Sequence, residues 1–166
     1  MIFVTAGTHE QPFDRVIKEV DRLTGAEVIK EEVFIQRGIG SMVPINCPSA
    51  EVISYDDMFK KVAEARIVIT HGGPGSIMLP LSMGKIPIVI PRRAEFNEHV
   101  DNHQVDFAKR LEAGKKIIAI YKINELEAGI LNYDNLASAL DAGTSGSDEL
   151  KRLVENLNRY CESLTK

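Results

Sequence analysis

The sequence is sparing with cysteine: Cys47 and Cys161 are the two it has, far apart and outside any CxxC pattern. Two such thiols cannot make a zinc site by themselves, and they fit a reducing compartment better than a disulfide. An excess of basic charge is also missing. Lys+Arg number 20 against 24 Asp+Glu, a formal net charge of −4, which argues against broad capture of nucleic acid and leaves room for a local patch serving a phosphate. No apolar run approaches the roughly 20 residues of a membrane span. The opening run, Met1–Gly7, is too short for a secretion signal and lacks its basic flank. The expectation is a soluble, cytoplasmic chain that works at a membrane only through a partner. GxxxxGK[ST] is absent too, which argues against a P-loop nucleotidase. Gly38-Ile39-Gly40-Ser41-Met42-Val43 starts like a dinucleotide fingerprint, but its third glycine is missing and Pro44 and Pro48 prevent a helix there. It reads as a loop, not as a classical NAD site.

What is present is a globular pattern. At 166 residues, 44% hydrophobic and 27% charged, with mean hydropathy −0.09, the chain suits one domain able to bury roughly 70% of its unfolded surface. Short Val/Ile runs alternate with helical stripes. Strands are expected at Ile2–Ala6, Val33–Gln36, Val52–Tyr55, Ile67–Thr70, Ile86–Ile90 and Lys116–Tyr121. Phe13, Val16, Ile17, Val20 and Leu23 mark one amphipathic helix. Further helices are expected from Asp56 to about Ala65, Gly75 to Met83 and Glu98 to Ala113. Strands without in/out alternation, separated by helices, predict an α/β domain: a doubly wound, mostly parallel sheet of about six strands. Residues 1–140 form that domain, 141–147 a Gly/Ser linker, and 148–166 an amphipathic helix with Leu150, Leu153, Val154, Leu157, Cys161 and Leu164 on one face.

All four histidines fall just after expected strands, where such sheets bind ligands. They are His9, His71, His99 and His103. Gly72-Gly73-Pro74-Gly75 joins a buried strand to a helix, with Ser76 able to cap it or to meet a phosphate. A packing turn explains such glycines equally well. Gly7-Thr8 makes a second turn, and two such turns on neighbouring strands suit a diphosphate. His99 and His103, at i and i+4 of the expected helix, share a face, but no third ligand is evident and no metal site is expected. Gln104 lies on that helix's inward stripe and needs a partner: either it is a satisfied structural amide or it grips sugar hydroxyls. Arg92-Arg93 are either a solvated pair or phosphate neighbours.

Val4-Thr5-Ala6-Gly7-Thr8-His9-Glu10-Gln11-Pro12-Phe13, His71-Gly72-Gly73-Pro74-Gly75-Ser76, Gly84-Lys85-Ile86-Pro87-Ile88-Val89-Ile90-Pro91-Arg92 and Glu98-His99-Val100-Asp101-Asn102-His103-Gln104 resemble the glycosyltransferase family 28 C-terminal domain. The likeness covers about residues 1–125 and is strongest to short, stand-alone members from bacterial polysaccharide clusters. It implies the Rossmann-like half of a GT-B enzyme, holding a UDP-sugar such as UDP-galactose or another UDP-hexose. It also implies a separate, membrane-anchored partner subunit that supplies the acceptor half. One position departs from the family pattern. Where full-length relatives carry a glutamate for the ribose, this chain has Leu79 followed by Pro80, so backbone groups or another carboxylate, such as Glu98, would take over.

The resemblance further implies inverting transfer, with no metal and no cofactor, to a lipid-linked acceptor in exopolysaccharide or capsule synthesis. Helix N-termini at Gly7–Thr8 and Gly73–Ser76 would stabilise the leaving diphosphate. Asn102, His103 and Gln104 would orient the sugar. His9 or Glu10 is the expected base, unless the partner supplies it. The remaining expected donor contacts are His71, Gly72, Pro74, Gly75, Arg92, Glu98 and His99. A homo-oligomer is possible, and a non-catalytic nucleotide-sugar-binding or scaffold subunit is the alternative.

Overall fold

The structure, a computed structural model, describes residues 1–141. Asp141, where the expected linker begins, still belongs to a helix; the rest of the expected linker and the terminal helix, Cys161 included, lie outside the described residues. Six strands form one sheet: β1 (Ile2–Thr5), β2 (Val33–Gln36), β3 (Ser49–Ala50), β4 (Ile67–His71), β5 (Ile88–Ile90) and β6 (Ile118–Ala119). Their order is β3-β2-β1-β4-β5-β6, and every neighbouring pair is parallel. Phe3 stands opposite Phe34 on one side and Val68 on the other.

Both sheet faces are covered, which is why the strands show no alternation. Ile2, Val4, Ile67, Ile69, Ile88 and Ile90 pack on one face against α1 (Asp14–Gly25), through Val16, Ile17, Val20 and Leu23, and against α5 (Leu126–Leu131). On the other, Phe3 and Val68 meet Val62 of α2 (Tyr55–Glu64). Val89 meets Ile77 and Leu81 of α3 (Pro74–Ser82) and Ala108 of α4 (His103–Ala113). Each of these Val, Leu, Ile and Phe side chains contributes about 1.5–3 kcal/mol when fully buried. A further helix, α6 (Tyr133–Asp141), follows α5, and the Tyr133 hydroxyl donates to the Ile86 carbonyl at 2.8 Å.

After β1 the chain steps outward to β2 and β3, then returns to place β4 on β1's other side. This reversal opens a crevice at the carboxyl ends of β1 and β4, the place where doubly wound sheets bind ligands.

Three expected elements shift most, and β5 starts at Ile88 rather than Ile86. The third strand pairs at Ser49–Ala50 rather than 52–55: Val52 is exposed, and Ser54 instead caps α2 by accepting from the Asp57 N–H at 3.0 Å. The helix expected from Glu98 begins at His103, because Asn97 adopts a left-handed φ of 55° and residues 98–102 form a loop. The last strand shrinks to Ile118–Ala119, although the Ile120 N–H still reaches the Val89 carbonyl at 2.9 Å.

Candidate functional site

Thr8, His9, Glu10, His71 and Gln104 line a cleft of about 470 Å³ at the β1/β4 crevice. His71, the last residue of β4, forms its floor. Its ring sits between two glycines: a Cβ on Gly7 would come within 2.5 Å of His71 Cε1, and one on Gly73 would press still closer on Nε2. Gly7 also has a positive φ of 78°. Burial, reinforced by the positive charge of Arg92, pulls His71 down to about 4. The floor of the cleft is therefore a neutral imidazole at physiological pH.

The β4–α3 turn is short. Gly73 is the N-cap and Pro74 opens the helix, at a position where a missing N–H costs nothing. The first helical bond runs from the Ile77 N–H to the Gly73 carbonyl. Among the described residues the Gly75 and Ser76 N–H groups have no acceptor, and α3's first turn carries no acidic side chain. A helix start with free amides and no carboxylate of its own attracts an anion.

Two buried glutamines hold the two turns. Gln36, at the end of β2, accepts from the Thr5 hydroxyl at 2.6 Å and the Gly7 N–H at 3.2 Å, and donates to the Gly7 and Glu51 carbonyls at 2.9 Å each. Gln104, in the first turn of α4, accepts through Oε1 from the Gly72 and Arg92 N–H groups, both at 3.1 Å. It is thus a structural amide that ties β4 to β5, and its Nε2 has no partner among the described residues.

His9 accepts the Gln11 N–H at Nδ1, 3.2 Å away. That bond puts the neutral ring's proton on Nε2, so His9 presents a donor. Its ring lies 4.7 Å from that of His99, which lies 4.6 Å from that of His103. Burial, then the neighbouring His103 and His9, lower the His99 pKa.

Several expected site residues are placed otherwise. Gly7–Thr8 is not a helix start: α1 begins only at Asp14, whose carboxylate sits at that helix's own positive end and accepts the Met42 N–H at 2.8 Å. Arg92 is 0% exposed. Its guanidinium donates to the carbonyls of Gln11 (2.6 Å), Ala6 (2.8 Å) and Glu98 (2.9 Å) and lies 4.8 Å over the Phe13 ring. It clasps the β1 and β5 loops together behind the cleft wall instead of contacting a phosphate. Burial draws it down to about 10, still protonated at neutral pH.

Glu98 is equally committed. It takes two bonds from Arg15, both 2.9 Å, and one from the Arg93 N–H, so it is not a free ribose ligand. Leu79 packs with Phe3, Val62 and Val68, away from the cleft. Asn102 accepts the Ala94 N–H at 3.0 Å and lines a different cleft, with Arg93, Glu95, Lys109 and Tyr121. His99 precedes α4, so it shares no helix face with His103. The rings meet because the loop folds back, and the loop brings Asp101 between them as a third ligand-bearing group.

A family model described as "Glycosyltransferase family 28 C-terminal domain" matches residues 1–157. The chain belongs to that family. Among curated proteins, this family 28 chain is 31% identical over 119 residues, 66% of its length, to the human "UDP-N-acetylglucosamine transferase subunit ALG13". It is 36% identical over 56 residues, 34% of its length, to the protein of the same name from Yarrowia lipolytica. The chain spans 10% of the human relative's length and 26% of the yeast one's. Among solved structures, the "Glycotransferase of kitacinnamycin" aligns with TM-score 0.58 at 16% identity, over 85% of this chain and 37% of that one. That likeness is one of fold: the open, Rossmann-like parallel sheet expected of one half of a GT-B glycosyltransferase.

Sequence reading of this family 28 domain does not reach Gln36, Arg15 or Asp101. Gln36 carries a signal, a lone amide ending an apolar strand, Val33-Phe34-Ile35-Gln36, of the kind that singles out Gln104. Arg15 carries none, because its partner Glu98 is 83 residues away.

Proposed function

We propose that this chain is the donor-binding subunit of a UDP-sugar-dependent, GT-B type hexosyltransferase. The observation that carries the reading is the crevice at the β1/β4 reversal, where the free Gly75 and Ser76 amides of α3 open beside a cleft lined by His9, Glu10, His71 and Gln104. The diphosphate sits at the α3 N-terminus, where backbone amides meet its charge without a metal ion or cofactor. Thr8 and the Nε2–H of His9 approach it from the other side. Gln104 Nε2 points the amide's free donor at a sugar hydroxyl.

Transfer leaves negative charge on the diphosphate while the anomeric carbon becomes oxocarbenium-like. Fixed donors at the diphosphate favour that separation because they need no reorientation as the bond breaks. The acceptor hydroxyl must lose a proton on the opposite face for transfer with inversion. The hydrogen bond at His9 Nδ1 makes that residue a donor, so Glu10, exposed and the one carboxylate lining the cleft among the described residues, is the base. A partner subunit anchored in the membrane supplies the acceptor half and presents a lipid-linked sugar at the cytoplasmic face. The naming of the curated relatives as transferase subunits supports this division. UDP-N-acetylglucosamine, from those names, and UDP-galactose are the donors to compare first, and exopolysaccharide or capsule synthesis is the setting in which short chains of this kind would work.

Calorimetry with UDP in EDTA tests the site: binding is expected, and strict dependence on a divalent ion would contradict it. With the partner present, Glu10→Gln is expected to lower turnover by a factor on the order of 10²–10⁴ while UDP affinity holds. Near-normal turnover would move the base to the partner. UDP binding without transfer under any pairing would favour a scaffold role.

A further inference from the structure

We propose that His99, Asp101 and His103 form a divalent transition-metal site of the zinc class on the loop leading into α4, beside the donor cleft. One ligand atom from each lies within 4.8 Å of the other two. Asp101 Oδ1 is the hub. It is 3.5 Å from His99 Nδ1 and in direct contact with His103 Nδ1, while also accepting the His103 N–H at 3.0 Å. The left-handed Asn97 turns the loop back to make this convergence possible.

Three observations separate the cluster from an ordinary surface ion pair. Asp101 is 58% exposed, and among the described residues its carboxylate contacts only these two histidines, the second both at its ring and at the N–H that opens α4, so nothing beyond that helix start competes for it. His99 is 11% exposed and braced on its far side by the His9 ring at 4.7 Å. One ligand is therefore held in place before any ion arrives, which lowers the ordering cost of binding. The donor set itself is selective: two imidazoles and one carboxylate suit zinc, cobalt or nickel, whereas magnesium and calcium prefer oxygen ligands alone. A fourth position would be taken by water.

The site stands apart from the transferase reading, since chelation is expected to strip the ion and leave UDP binding in place. Cobalt(II) titration of the tag-free, full-length chain, followed by visible absorption, is the test. One equivalent is expected to bind with a d–d band of four- or five-coordinate cobalt, and zinc should displace it. Asp101→Asn and His103→Ala, both exposed positions, should each weaken cobalt binding at least tenfold without changing thermal stability in EDTA. Absence of the band, or a band unchanged in both variants, would overturn the proposal. A UDP site that fails while cobalt binding persists would leave the metal site standing and remove the donor reading alone.

Discussion

The two loops that meet at the crevice are built for different work. The β4–α3 turn passes from His71 to a helix within three residues and starts that helix on free amides. The β1–α1 loop is longer, and its helix keeps Asp14 for itself. What it brings to the cleft is side chains: Thr8, His9 and Glu10. One turn offers backbone charge and the other titratable chemistry, although both begin as a glycine after an apolar strand. The difference arises in the residues beyond the glycine. Pro74 opens a helix at once, whereas Pro12 and the buried Phe13, whose N–H is taken by Ser41 at 3.1 Å, hold the other segment extended as a loop.

The sharpest way to break the comparison is to add one methyl group to each turn. Gly7→Ala forces a side chain into a left-handed backbone position and against the His71 ring. It should cost about 2–4 kcal/mol in urea unfolding, combining backbone and overpacking penalties. Gly73 has an ordinary φ of −75°, so Gly73→Ala meets only the clash. It should lose less stability than Gly7→Ala yet abolish most UDP binding, and equal losses in both assays would erase the distinction.

Acid probes the residue the two turns share. An unfolded histidine takes up a proton near its ordinary 6.5, but folded His71 resists until about 4. Between those values the unfolded chain binds more protons, so stability falls as pH drops, by roughly 3 kcal/mol once below 4. His71→Gln should remove that part of the decline when the two unfolding profiles are subtracted. Parallel profiles would show that the ring is not shielded.

Smaller effects separate the glutamines. Gln36→Leu orphans groups on Thr5, Gly7 and Glu51, and should cost about 2–3 kcal/mol with UDP affinity falling in step. Gln104→Leu orphans two N–H groups and should cost about 1–2 kcal/mol, but it also removes the free Nε2. Discrimination between UDP and a UDP-sugar should therefore weaken in Gln104→Leu alone. Smallest of all, Ser76→Ala should reduce UDP affinity about two- to fivefold and leave the melting temperature unchanged.

The sheet is legible because Val/Ile runs buried on both faces have few alternatives, and the position of the histidines after strands points to the β1/β4 crevice, whose cleft His9 and His71 line. The hidden features are set by contacts distant in sequence. Arg92 reads as a surface cation until Ala6, Gln11 and Glu98 are seen to claim it, and Glu98 reads as a free carboxylate until Arg15 arrives from α1. The late start of α4 at His103 depends on one left-handed asparagine, which the helical spacing of 99 and 103 conceals. Helices α5 and α6 lie outside the expected elements, although Leu126, Ile130 and Tyr133 recur at helical spacing and are buried.

The central claim is that a diphosphate seats on the α3 amides with the β1 loop facing it. Amide chemical-shift mapping of the full-length chain titrated with UDP in EDTA tests this most directly. The account predicts the largest shifts at Gly72, Gly73, Gly75 and Ser76, with a second group at Thr8 and His9. Shifts concentrated instead along β6 and α6, or none at millimolar UDP, would contradict it.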